Sequence, residues 1–68
     1  MLQASGDEKG FINIWDVESL THLKRFKKNK LAISGLVFRR GTHTLYSCSY
    51  DRMVMVWNLD VMGFVEHL

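Results

Sequence analysis

His43, Cys48 and Asp51 stand within nine residues of one another, and they are the residue types of a base, a nucleophile and an orienting acid. Cys48, however, lies in a run of small residues, Ser47-Cys48-Ser49, that reads as an interior strand, where a thiol is usually inert packing. His22, His43, His67 and Cys48 have the right chemistry for zinc but are not grouped into the close-spaced pairs that zinc sites use. Gly6 and Gly10 lack the companions of a phosphate-binding glycine loop. We therefore expect no enzyme: no catalytic residue, no metal site and no cofactor. What remains is charge. Five of the nine Lys and Arg residues fall in K-R-F-K-K-N-K, residues 24–30. That density suits a phosphate backbone as partner; it equally suits a solvated edge strand that its lysines keep from pairing with another sheet.

The elements that must carry these side chains are short strands. Residues 11–16 read F-I-N-I-W-D and residues 53–58 read M-V-M-V-W-N, with the tryptophans 42 positions apart. Laying Trp15 on Trp57 puts Ser5 on Ser47, Ile12 on Val54, Ile14 on Val56, Asp16 on Asn58 and Val17 on Leu59. A register held on both sides of the tryptophan is an internal repeat. Residues 11–15 and 54–57 are rich in β-branched and aromatic side chains and follow turn residues, Gly10 in one case and Asp51-Arg52 in the other. Before each lies a second strand, ending in Ala4-Ser5-Gly6 and in Ser47-Cys48-Ser49. A third strand is expected over residues 22–26 and 65–68, and a fourth over 33–38. Leu20, Leu23 and Phe26 would also suit one face of a helix over 18–30, which Lys28-Asn29 continues poorly.

The whole is all-β, with four strands in a complete unit. A chain of 68 residues buries only about 60% of its unfolded surface, so it builds one small core at most. Its apolar share of 47% and charged share of 24% exclude a disordered composition. One cysteine permits no internal disulfide, which fits a reducing compartment. No apolar run approaches the roughly 20 residues of a spanning helix, and Met1-Leu2 opens no signal peptide. A soluble, intracellular chain with no membrane partner is expected.

A repeat of this length, built of four strands and closed by a Trp-Asp dipeptide, resembles the WD repeat of β-propellers. The residues that carry the resemblance are I-N-I-W-D and S-Y-D-R-M-V-M-V-W-N. The longer stretch A-I-S-G-L-V-F-R-R-G-T-H-T-L-Y-S-C-S-Y-D-R is similar to the WD-repeat proteins of the U3 small nucleolar ribonucleoprotein. The resemblance implies a partial WD-repeat β-propeller of about two blades of four-stranded antiparallel sheet. Residues 1–26 would be the last three strands of one blade and residues 27–68 the following complete blade. It further implies a non-catalytic scaffold in the nucleus and nucleolus. There it would bind U3 small nucleolar RNA and ribonucleoprotein proteins and act in ribosomal RNA processing and small-subunit ribosome biogenesis. The alternative is a WD-repeat surface that binds proteins only.

In a propeller blade alternate loops emerge on opposite faces. Lys27, Lys28 and Lys30, between outer and inner strands, would then share a face with Lys9 and Arg52 in the turns before the tryptophan strands. Tyr50 beside them offers a ring for base stacking or for packing on a neighbouring blade. Arg39, Arg40 and His43 would occupy the opposite face. The resemblance also implies a hydrogen-bonded chain joining tryptophan, serine, histidine and a turn aspartate. Here Trp57 and Asp51 match, Ser47 or Ser49 supplies the serine, and Asn29 stands where the histidine belongs. In the first repeat Trp15 is present, but Lys9 occupies the aspartate's place, with Asp7 and Glu8 ahead of it. Two such blades leave faces open, and Ile12, Ile14, Val54 and Val56 are expected to be half covered.

Overall fold

The computed structural model describes residues 1–68. Seven strands follow one another: β1 (Leu2–Gly6), β2 (Phe11–Asp16), β3 (Thr21–Lys27), β4 (Ile33–Phe38), β5 (Thr44–Ser49), β6 (Val54–Asn58) and β7 (Gly63–His67). They form a three-stranded sheet, β1-β2-β3, and a four-stranded sheet, β4-β5-β6-β7, antiparallel throughout. Residues 18–30 hold no helix, because β-sheet pairing of Ile12 with Phe26 and Asn13 with Arg25 captures that segment. The last strand begins at Gly63, two residues before its expected start at 65. The tight turn after β6, with Met62 at φ 51, reverses the chain sooner than composition suggests.

The 42-residue period reaches the backbone dihedrals. Positive φ occurs at Gly10 and Arg52, and again at Leu20 and Met62, which are equivalent pairs in the repeat. A left-handed residue costs a non-glycine side chain about 1–2 kcal/mol, so the turns are dictated by the strands they join. Asx hydrogen bonds fix the same turns: Asp16 Oδ1 accepts from the Glu18 N–H, and Asn58 Oδ1 accepts from the Asp60 N–H. Bulges recur at equivalent places, between Ile14 and Trp15 and between Val56 and Trp57.

The core lies between the two sheets. Ile12, Ile14 and Phe26 of the first meet Leu45, Met55, Trp57 and Leu59 of the second. Strand alternation explains the selection, since alternate side chains leave opposite faces. Ile12 and Ile14 are fully buried and Val56 is buried as well, which corrects the expectation that they are half covered; of the four only Val54 is half-buried. Gly6 completes the fit, because an added Cβ there would lie 2.5 Å from the Ile33 side chain.

Candidate nucleic-acid interface

Three chain segments, 7–10, 28–32 and 50–53, converge on one rim. The Ile33 N–H donates to the Asp7 carbonyl at 2.9 Å, and the Tyr50 N–H to the Ala32 carbonyl at 3.1 Å. Gly10 lies so close beneath the 28–32 loop that a Cβ would fall 2.4 Å from the Asn29 carbonyl oxygen. Residues 39–43 and 59–62 form turns on the opposite rim, where His43 pairs with Asp60 and the Leu59 N–H donates to the His43 carbonyl.

A side-chain chain runs from the seam between the sheets up to the first rim. The Trp57 indole N–H donates to Ser47 Oγ at 3.0 Å, and Ser47 Oγ donates to Asn29 Oδ1 at 3.3 Å. Asn29 Nδ2 reaches Asp51 Oδ1 only at 3.5 Å, a long contact that contributes little. Asp51 is held chiefly by backbone: its Oδ2 accepts from the Lys30 N–H at 2.7 Å and its Oδ1 from the Met53 N–H at 2.9 Å. Ser49 has a separate task, donating to the Leu31 carbonyl and accepting from the Asp51 N–H. Every buried polar side-chain atom has a partner, as burial demands.

The first repeat reaches the same end differently. The Trp15 indole N–H donates to Ser5 Oγ at 3.1 Å. Asp7 Oδ1 accepts from both Lys9 and Phe11 N–H groups, at 2.8 and 3.0 Å. Asp7 is the equivalent of Ser49, yet it binds the N–H that Asp51 binds in the second repeat, so one carboxylate two residues earlier serves the turn. Both carboxyls are held below their ordinary value of 3.8. For Asp7 the cause is first the Phe11 N–H. For Asp51 desolvation is the largest influence and raises the value, but the combined donors, led by the Lys30 and Met53 N–H groups, outweigh it. Asp51 thus spends both oxygens on its turn, whereas Asp7 keeps Oδ2 for a 3.9 Å ion pair with Arg25.

Lys9, Lys30 and Arg52 are exposed on this rim, brought together by the contacts above, and Tyr50 stands beside them at 71% exposure. Lys27, the last residue of β3, and Lys28, which follows it, share the rim's backbone but send their ammonium groups to different rings. Lys27 Nζ lies 4.8 Å from the Phe11 ring centroid, and Lys28 Nζ lies 4.8 Å from that of Phe64, at the seam between the sheets. Lys27 and Lys28 therefore rest on different rings, as successive residues leaving a strand point to alternate sides. Arg39, Arg40 and His43 occupy the opposite rim. Cys48 lies on β5 between the rims, so His43, Cys48 and Asp51 do not converge. Sequence reasoning missed Arg25, whose guanidinium stacks 3.8 Å from the Phe11 centroid; its signal was the two-residue spacing from Lys27, which puts both on one strand face.

Two antiparallel sheets repeating every 42 residues, each with its own indole–serine hydrogen bond and packed on one another through an apolar core, define neighbouring blades of a WD-repeat β-propeller. The blade built of β1–β3 is called blade one below, and that of β4–β7 blade two. No protein-family model matches the chain. Human U3 small nucleolar RNA-interacting protein 2 is 54% identical over 44 residues, covering 65% of this chain and 9% of that protein. The U3 snoRNP-associated protein-like EMB2271 of Arabidopsis thaliana is 32% identical over 63 residues, covering 93% of this chain and 13% of that protein. The solved WD40 repeats of RRP9 superpose with a TM-score of 0.96 at 51% identity, over 98% of this chain and 20% of that one. The chain thus resembles the WD-repeat proteins of the U3 small nucleolar ribonucleoprotein. It spans about a tenth of the length of these curated relatives and a fifth of the solved chain.

Proposed function

We propose that this chain is part of a non-catalytic propeller scaffold that binds U3 small nucleolar RNA, together with ribonucleoprotein proteins, in the nucleolus. There it serves ribosomal RNA processing and small-subunit ribosome biogenesis. The last three strands of one blade, expected over residues 1–26, run to Lys27, and the next complete blade lies within 28–68, the remaining blades covering the open faces. The observation that carries this reading is the 54% identity to a protein named for its interaction with that RNA. The rim supports it physically: Lys9, Lys30 and Arg52 are exposed, and two carboxylates of the rim, Asp7 and Asp51, are engaged by backbone N–H groups, with Glu8 an exposed acid beside Lys9. Lys27 and Lys28 flank this path, and Tyr50 offers a stacking ring.

A filter-binding titration of the complete propeller on the small nucleolar RNA, at several salt concentrations, tests it. Each phosphate contact on a single strand contributes about 0.7 to the slope of log affinity against log salt. Lys9→Gln, Lys30→Gln and Arg52→Gln together flatten that slope by about two units, whereas Arg39→Gln with Arg40→Gln leaves it in place. If the second pair carries the slope, the opposite rim is the interface. Peptide capture without any RNA affinity would mean a surface for proteins alone.

A further inference from the structure

On the outer strand of blade one, two cations share a single aromatic ring. Arg25 and Lys27 are two residues apart on β3, so they leave the same face, and across the strand pair Phe11 lies opposite Lys27. The Arg25 guanidinium carbon is 3.8 Å from the Phe11 centroid and Lys27 Nζ is 4.8 Å from it. One acid pairs with the guanidinium, loosely, and none pairs with the ammonium. Asp7 Oδ2 is 3.9 Å from an Arg25 nitrogen, beyond hydrogen-bonding distance, and Asp7 Oδ1 is occupied by two backbone N–H groups. Lys27 has no ion-pair partner, and Arg25 is 53% exposed.

With its carbon 3.8 Å from the ring centroid, the Arg25 guanidinium packs on Phe11, and a planar guanidinium carries its N–H groups in the fork that grips two oxygens of a phosphate. The attraction of the ring for both cations holds two like charges side by side; a bound anion relieves their repulsion. A preceding blade would leave the Arg25 end of this place open, although Met53, the equivalent of Phe11, packs against the core between the blades. The residue equivalent to Arg25 in blade two is His67, which pairs with Met55 on the face turned toward blade one, and His67 stays exposed although that neighbour is present.

We infer that Arg25 and Lys27, seated on Phe11, form a binding site for a backbone phosphodiester of RNA at the outer end of the cationic rim. This rests on the RNA-binding reading above and adds to it a contact that depends on planarity as well as charge. The test uses the complete propeller and the same salt titration, with thermal unfolding recorded for each variant. Arg25→Lys keeps the charge and loses the planar fork, so RNA affinity falls about tenfold with an unchanged salt slope. Arg25→Gln weakens binding at least as much and also lowers the slope by about 0.7. Phe11→Leu, which removes the platform and no charge, behaves as Arg25→Lys does. Wild-type affinity in Arg25→Lys overturns the site, because charge alone would then suffice; wild-type affinity in both Arg25 variants, with RNA still bound, overturns this site and leaves the rim standing. A wild-type propeller without salt-dependent RNA affinity overturns both.

Discussion

Trp15 and Trp57 are equivalent residues in equivalent strands, each donating to a serine on the neighbouring strand, yet Trp15 is 37% exposed and Trp57 only 2%. The hydrogen bond is local to the blade; the burial is not. Phe26, from the outer strand of blade one, stacks on Trp57 at 4.4 Å and 15°, and Phe64 meets its edge at 5.4 Å. Trp15 has only the tilted ring of His22 at 4.8 Å. A WD blade therefore makes its own turn and tryptophan clamp, and takes the cover of its tryptophan from the blade before it. Val17 and Leu59 repeat the contrast, the first 38% exposed and the second 3%.

Removing the two indoles separates these contributions most sharply. In the 68-residue chain Trp57→Ala costs about 3–5 kcal/mol, the usual range for a buried aromatic, and Trp15→Ala less than half as much, read from urea unfolding midpoints. In a chain extended by the preceding blade the two costs converge. Equal costs in the short chain would show that stacking between blades is not what holds Trp57.

The paired turns offer a smaller contrast of opposite sign. Gly10→Ala places a Cβ 2.4 Å from the Asn29 carbonyl oxygen at φ +88, so it costs at least about 2 kcal/mol. Arg52→Gly, at the equivalent position with φ 70, removes left-handed strain and gains up to about 1 kcal/mol after the entropy of glycine is deducted. Thermal unfolding of the two variants measures both. If Arg52→Gly destabilises, its side chain contributes more to the folded rim than its backbone costs.

Acid compares the two blades most gently. Asp7 and Asp51 have folded values below the ordinary 3.8, so their stabilisation is complete above that pH and is lost as pH falls through the lower folded values. Stability measured from pH 6 downward should decline below about 4, less steeply in Asp51→Asn or Asp7→Asn and least in the double variant. An identical decline in the double variant would assign the acid sensitivity to groups outside these turns.

Much of this architecture was legible in the residues because strand periodicity and turn chemistry are local. F-I-N-I-W-D and M-V-M-V-W-N announced the paired strands. The helix alternative for residues 18–30 disappears once β2 is there to pair with, which no window of that segment reveals. Asp7 was harder to read, because the carboxylate serving the first turn is displaced by two residues from the repeat position. The basic segment 24–30 was visible as composition, while the separation of Lys27 from Lys28 required knowing which ring each side chain reaches. Arg25 was hidden by the same ignorance.

The sequence by itself determined the period of 42, the four strands of the complete blade, the Trp57–Ser47 pairing as one of two choices, and the presence of a cationic segment. These depend on neighbours along the chain or across one hairpin. Only the tertiary structure decided that Ile12 and Ile14 are fully buried while Val54 is half-buried, that Phe26 covers Trp57, and that Lys9, Lys30 and Arg52 meet on one rim with Phe11 carrying Arg25 and Lys27. Strand alternation gives every blade two faces of similar composition, and which one is buried is fixed by the packing of one blade on the next.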